Sequence, residues 1–196
     1  MEDITLEGWH GTTKKRKTDI EKSGFTFEKF DFSSPEINIP NDLGQGIYFY
    51  TFFKGETGEQ NAYKYVHQFR DQIIAKEKSS SVVLKAKLKC VNLNLLDLDD
   101  NETKEYLLEF KKKYKQQVAT YVNRVKKSGA AKRKNLDGIL IELFIRKIEE
   151  QYFAKVGHSI KIIKKETNTE FDGIRSNFPN GTELCVRDVS CICLSI

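Results

Sequence analysis

Apolar and polar positions change period several times along the 196 residues, and the changes divide the chain into elements. Ile4 to Trp9 alternate as a short strand does. A basic, helix-compatible stretch follows from Lys14 to Lys22 and stops at Gly24. Residues 25–41 hold two of the three prolines and read as a loop. Ile47-Tyr48-Phe49-Tyr50, aromatic and β-branched after a glycine break, predicts a strand. Glu59 to Lys78 repeats apolar residues at helical spacing through Ala62, Tyr65 or Val66, Phe69 and Ile73. Ser81 to Leu88 returns to strand, and Leu93 to Leu98 forms a further extended piece.

From Glu102 to Lys127, Leu107, Phe110, Tyr114, Val118, Tyr121 and Val125 fall three or four apart. This spacing predicts one helix of about seven turns with a single apolar stripe. Asp137 suits the cap of a second helix reaching about Tyr152, although Ile139-Leu140-Ile141 alone would also suit a strand. The remainder is β-like: Ile160 to Ile163, a turn at Asp172-Gly173, Thr182 to Arg187 after Pro179-Asn180-Gly181, and Cys191 to Ile196. Strands and helices come in mixed order, without repeats or Gly/Ser linkers. The fold class expected is therefore α+β in a single domain, 1–196, with a helical, basic insertion over 102–155.

Composition adds a location to the charge. The net charge is only +5, but between Lys104 and Lys134 eleven basic residues face two acidic ones, a local +9, so the rest of the chain carries −4. The four cysteines, Cys90, Cys185, Cys191 and Cys193, form no paired knuckles and read as free, buried thiols. With three histidines and no Cys/His cluster, no metal is expected. The acidic N-terminus lacks an apolar leader and no stretch is long enough to span a bilayer, so a cytoplasmic protein without membrane partners is expected.

Three segments place polar or aromatic groups beside glycines that let a ligand approach the backbone: Gly8-Trp9-His10-Gly11-Thr12, Gly44-Gln45-Gly46-Ile47-Tyr48-Phe49 and Asn180-Gly181-Thr182-Glu183-Leu184-Cys185-Val186. Each has an ordinary alternative. His10 can be a strand-end histidine, Tyr48 a core aromatic and Glu183 a solvent-facing strand residue. In this order, however, the three resemble the ADP-ribosyltransferase superfamily, in its diphtheria-toxin and poly(ADP-ribose) polymerase-like branch with a His-Tyr-Glu triad. His10-Gly11-Thr12 is similar to that branch's His-Gly-Ser/Thr, Gly44 to Phe49 to its Gly-Lys-Gly-Ile-Tyr-Phe, and Thr182 to Val186 to its Asn-Glu-Tyr-Ile-Val strand.

The resemblance implies split antiparallel β-sheets around an NAD cleft, with NAD+ as co-substrate and no metal. It implies His10, Tyr48 and Glu183 as the catalytic residues. His10 would hydrogen-bond a ribose, Gly11, beside Thr12, would bind the nicotinamide carboxamide through its backbone, and Tyr48 would stack on the ring with Tyr63 or Tyr65 on its other face. Glu183 would take the ribose 2′-hydroxyl and face the positive charge that develops at the sugar. Two departures qualify the likeness. Gly181 stands where arginine-directed members carry Glu or Gln, which disfavours arginine as acceptor, and the hydroxyl residue that precedes the second tyrosine in the family is Gln60 or Ala62 here.

A small transferase of this kind resembles bacterial toxins of toxin–antitoxin and anti-phage systems, which implies an intracellular macromolecular acceptor and an antitoxin partner. Lys111, Lys112, Lys113, Lys115, Lys126, Lys127, Lys132, Arg133 and Lys134 could track a phosphate backbone, with Tyr106, Tyr114 or Tyr121 stacking on bases. RNA is the favoured acceptor. The same run suits a solvated helix face or an antitoxin surface. A protein acceptor, a silent NAD-fold binding module and a basic nucleic-acid-binding protein stay open.

Overall fold

A computed structural model describes residues 2–73, 79–126, 137–153, 157–171 and 177–195. The chain forms β1 (Asp3–Thr13), α1 (Lys14–Ser23), β2 (Ile47–Thr51), α2 (Glu59–Ile73), β3 (Ser81–Val91), β4 (Leu95–Asp97), α3 (Asn101–Lys113), α4 (Lys115–Lys126), α5 (Asp137–Ile148), β5 (Ile162–Thr167), β6 (Gly181–Val186) and β7 (Ile192–Leu194). Short 3-10 turns precede β4 and β7, and one wide turn follows α5 over Glu149–Phe153. The α+β class holds. The turn expected at Asp172-Gly173 and the end of the helix expected to reach Lys78 lie outside the described residues.

The strands make one seven-stranded sheet in the order β4-β5-β6-β2-β1-β3-β7. In place of the split antiparallel sheets expected, the sheet is continuous and mixed, because β4 runs parallel to β5 while the other neighbours are antiparallel. A division nonetheless runs through its middle. β1 pairs with β3 along its whole length from Asp3 to Thr13, but meets β2 at the single pair Trp9 and Tyr50.

Alternation along the strands assigns two apolar layers. Ile47, Phe49, Leu84, Ala86, Leu88, Ile162, Leu184 and Val186 pack on one face with Phe25. The other face is covered by α2, near Trp9 and Tyr50, and by α5, near Leu43, Ile163 and Cys185. α5 is a helix and not a strand, and every residue from Gly138 to Ile145 is buried. Gly138 has no room for a side chain, since a Cβ would stand 1.9 Å from the Asn41 carbonyl oxygen. α5, which falls in the latter half of the expected insertion, is thus central core.

The single helix expected from Glu102 to Lys127 is two, bent at Tyr114. The stripe itself is as expected: Phe110 and Val125 are buried, while Leu107, Tyr114, Val118 and Tyr121 pack partly against the same layer. A straight rod of that length would run about 38 Å, whereas α5 is only about 18 Å long. The bend lets both halves contact α5. The expectation of buried thiols holds for Cys185 and Cys191, but Cys90 is half-buried and Cys193 exposed. Alternation on the sheet's outer strand β7 turns Cys193 to solvent.

Candidate active site

The division between β1 and β2 follows from hydrogen-bond directions. In an antiparallel ladder the N–H and C=O of one residue point to the same neighbour, and successive residues alternate. Lys14 donates to the Ser80 carbonyl and Asn92 donates to that of Glu2, so the even residues of β1 face β3. The odd ones, Glu7, Trp9 and Gly11, face β2. Consistently, the Glu7 carbonyl accepts from Thr51 Oγ1 at 2.7 Å.

Continued by two residues, the Trp9 and Tyr50 register would set Gly11 opposite Tyr48, yet no such pair forms. The Tyr48 carbonyl accepts from His10 Nδ1 instead, at 2.8 Å. Gly11 therefore directs its N–H and C=O into an opening in the ladder, the stretch beyond Trp9 and Tyr50 where β1 and β2 no longer pair. On its other side Gly11 is closed, because a Cβ would lie 2.1 Å from the Ala62 carbonyl oxygen of α2. Thr12, next to it, is buried opposite Val82.

A carbonyl can only accept, so the proton of His10 sits on Nδ1 and leaves Nε2 as an acceptor. The ring packs edge-on to Phe25 at 5.1 Å and tilted on Phe49 at 5.6 Å. Burial among these groups pushes its pKa below 6.5, against the rise that the Tyr48 bond causes, so the ring is neutral near pH 7.

Tyr48 and Tyr50 are two apart on β2 and share the α5 and α2 face with their cross-strand partners Cys185 and Glu183. The Tyr48 hydroxyl is committed to its own loop, accepting from Leu43 N–H at 3.0 Å and donating to the Gly44 carbonyl at 2.7 Å. Gly44 turns with a φ of +90°, where only glycine is unstrained. The loop is fastened from α5: Glu142 Oε1 accepts from the Gln45 N–H at 2.6 Å, and Glu142 takes Arg187 in a two-point ion pair at 2.5 and 3.0 Å. Burial alone would lower the Arg187 pKa, but the Glu142 bond overrides this and leaves it raised.

Glu183 lies among Tyr50, Thr169 and Thr167. Burial raises its pKa, and the hydroxyls of Tyr50, Thr169 and Thr167 partly offset that rise. The Thr169 hydroxyl stands 3.4 Å from Glu183 Oε1 and 2.9 Å from the Tyr50 hydroxyl. Asn180 fixes Thr169 through a reciprocal pair, donating to its carbonyl at 2.7 Å and accepting from its N–H at 3.0 Å, while Asn61 of α2 donates to the Asn180 carbonyl at 2.9 Å. Gly181 is explained here, since a Cβ would come within 2.7 Å of Asn61 Nδ2.

No family model matches the chain, and no curated protein matches it.

Of the residues singled out in the sequence, the structure brings His10, Gly11 and Tyr48 together at the opening, and sets Glu183 on the next strand beyond β2. The His10 ring and Glu183 side chain leave opposite faces of the sheet, with the opening between them. The two other tyrosines part company. Tyr65 meets Tyr50 at 6.3 Å, whereas Tyr63 stacks on His67 at 5.9 Å and lines a groove of about 450 Å³ with Gln60, Ser81 and Val83. Lys111, Lys112, Lys113, Lys115 and Lys126 are all exposed, and the Lys113 ammonium also lies over the Tyr114 ring, 5.4 Å from its centre. Lys127, Lys132, Arg133 and Lys134 lie outside the described residues. Tyr50, Thr169 and Asn61 join the site without having been singled out by sequence, and Asn180, which opens the third glycine-bearing segment, joins it by clasping Thr169. Tyr50 carries a usable signal, being on the same strand face as Tyr48; Thr169 carries none.

Among the described residues no three His, Cys, Asp or Glu side chains come together in a way that would hold a metal, and no helix is long and apolar enough to cross a membrane.

Proposed function

We propose that the chain is a mono-ADP-ribosyltransferase that moves ADP-ribose from NAD+ to an intracellular macromolecule, RNA in the first place, on a fold like that of the superfamily it resembles. The observation that carries the reading is the opening between β1 and β2. A primary carboxamide presents one acceptor and one donor, and the Gly11 N–H and C=O are their complement. The neutral His10 Nε2 beside it can accept from a ribose hydroxyl. The Glu183 carboxylate supplies the negative charge that a sugar cation needs, and its partly buried setting strengthens that interaction.

In the reaction the bond between nicotinamide and ribose C1′ breaks, and nicotinamide leaves with the electron pair. The acceptor's nucleophile forms the new bond to C1′, and its proton passes to Glu183 or to solvent. The favoured nucleic-acid acceptor rests on the exposed lysines at 111, 112, 113, 115 and 126.

The test is incubation with labelled NAD+ and whole-cell lysate, followed by separate nuclease and protease treatments. Label that is removed by ribonuclease, and is absent with a folded Glu183→Gln variant, is the expected result. Label lost only to protease would transfer the acceptor to protein. Labelling that persists in Glu183→Gln removes that residue from catalysis, and failure of the wild-type protein to consume NAD+ with any extract would return it to a silent binding module.

A further inference from the structure

The strand fixes where Glu183 begins but not where its carboxyl ends, because three side-chain torsions separate Cα from the oxygens. Two hydroxyls from different parts of the chain supply what the strand does not. Tyr50 is the residue of β2 directly opposite Glu183, and Thr169 follows β5. An ionised carboxylate accepts only, so Thr169 donates to Glu183 Oε1, and Tyr50 must then donate to Thr169 at 2.9 Å. The direction of both bonds is set by the charge at one end.

The far end is equally constrained. Thr169 is held by both ends of the Asn180 amide, Asn180 is tied to α2 by Asn61, and the Tyr50 ring is seated among Trp9, Ala62 and Phe171. These contacts fix the two hydroxyls before any substrate arrives, as an aimed carboxylate requires.

We propose that Tyr50, acting through Thr169, is a positioning residue for Glu183: the two hydroxyls form a relay that holds the carboxylate ionised and aimed. The relay rests on the transferase reading only for what the carboxylate is aimed at. Burial raises the pKa of both Glu183 and Tyr50, and the hydroxyl contacts of Tyr50, Thr169 and Thr167 oppose that rise at Glu183. The other titratable groups around this pair are Lys165, directly opposite Glu183 on β5, Asp42 from the loop before β2, Tyr48 on β2, Cys185 on β6 and Tyr65 on α2. Asp42 disfavours the carboxylate, which increases the demand on the hydroxyls.

The experiment compares Tyr50→Phe, Thr169→Val and Thr169→Ser in the full chain by two readouts. The first is the titration of the Glu183 carboxyl carbon by NMR on protein labelled at glutamate, assigned by its disappearance in Glu183→Gln. The second is the rate of NAD+ consumption against pH. Tyr50→Phe and Thr169→Val should each move the Glu183 titration to higher pH and lower kcat roughly ten- to a hundredfold, the rate equivalent of one hydrogen bond to a charged group, with KM for NAD+ unchanged. Thr169→Ser, which keeps the hydroxyl, should restore both.

A Glu183 titration that stays put in Tyr50→Phe and in Thr169→Val overturns the relay, whatever happens to the rate. A titration that moves as expected in a protein that consumes no NAD+ upholds the relay and discards the transferase reading, so the two fail separately.

Discussion

The Tyr48 carbonyl that would accept from Gly11 in a continued ladder accepts from His10 Nδ1 instead, at 2.8 Å. An imidazole is therefore what ends the pairing of β1 with β2. One bond satisfies the acceptor on the β2 side while leaving the Gly11 groups directed at whatever enters.

His10 should accordingly separate into two functions. Asn places a donor where Nδ1 stands, and Gln places one nearer Nε2. His10→Asn is expected to keep the Tyr48 bond and the fold but to lose NAD+ consumption by at least about tenfold; His10→Gln is expected to lose both. The pH dependence has a definite sign. A histidine whose pKa is lowered by folding binds more protons when unfolded, so its contribution is complete above the ordinary 6.5 and is lost as pH falls from there through the folded value. Urea midpoints measured across this range should fall with acid in the wild type, and fall less in His10→Asn.

The ion pair of Glu142 and Arg187 should be unequal to its parts. Glu142 has 4% of its side chain exposed and Arg187 19%, so removing one partner strands a buried charge. Glu142→Ala is expected to cost about 3–5 kcal/mol, and the double change to Met at both positions much less. Equilibrium denaturation of the wild type and these two variants measures it. Because Glu142 also holds the Gln45 N–H, amide exchange over residues 43–48 should speed up in Glu142→Ala at concentrations of denaturant too low to unfold the chain.

Two glycines should be intolerant of a single methyl group for reasons of space. A Cβ at Gly11 meets the Ala62 carbonyl at 2.1 Å and one at Gly138 meets that of Asn41 at 1.9 Å. Both obstacles are backbone, so α2 or α5 must shift. Gly11→Ala and Gly138→Ala are each expected to destabilise by about 1–3 kcal/mol or more, read from thermal melting. Gly55, against which nothing stands within 4 Å, is a control for crowding, though its φ of +86° carries its own strain.

The lysines of α3 and α4 should separate binding from folding. Replacing Lys111, Lys112, Lys113 and Lys115 by Glu reverses four exposed charges and is expected to leave the melting temperature nearly unchanged. RNA retention and RNA labelling should fall. The slope of log affinity against log salt should flatten by about 0.7 for each phosphate of a single strand that is no longer neutralised. Filter binding over a salt series reads that slope.

Much of the secondary structure is legible in the sequence because period is local. Strand alternation around Ile47 and Val82 and the stripe from Leu107 to Val125 all survive folding. What period does not carry is where an element must turn to fit its neighbour, as at Tyr114, where a stripe continuous in sequence is divided to wrap a shorter helix. The site is legible in the same proportion. His10, Gly11 and Tyr48 are near glycines that signal a close approach. Tyr50 shares a strand face with Tyr48 and can be read from it, but Thr169 reaches Glu183 only through the Asn180 clasp, a contact with no sequence signature. The Gly181 departure has a steric cause, Asn61, that only packing reveals.

The strand order also sets a schedule for folding. β6 lies between β5 and β2 in the sheet yet follows both in the chain, with well over a hundred residues separating it from β2. Closing a loop of that span costs entropy before any pairing compensates, so a sheet assembled this way folds slowly for its size. β1 and β3 can pair early, but β2 waits for its long edge to be covered. The strand that carries Glu183 is thus the one that joins the two halves, and the carboxylate takes its place beside Tyr50 in the same event that completes the sheet.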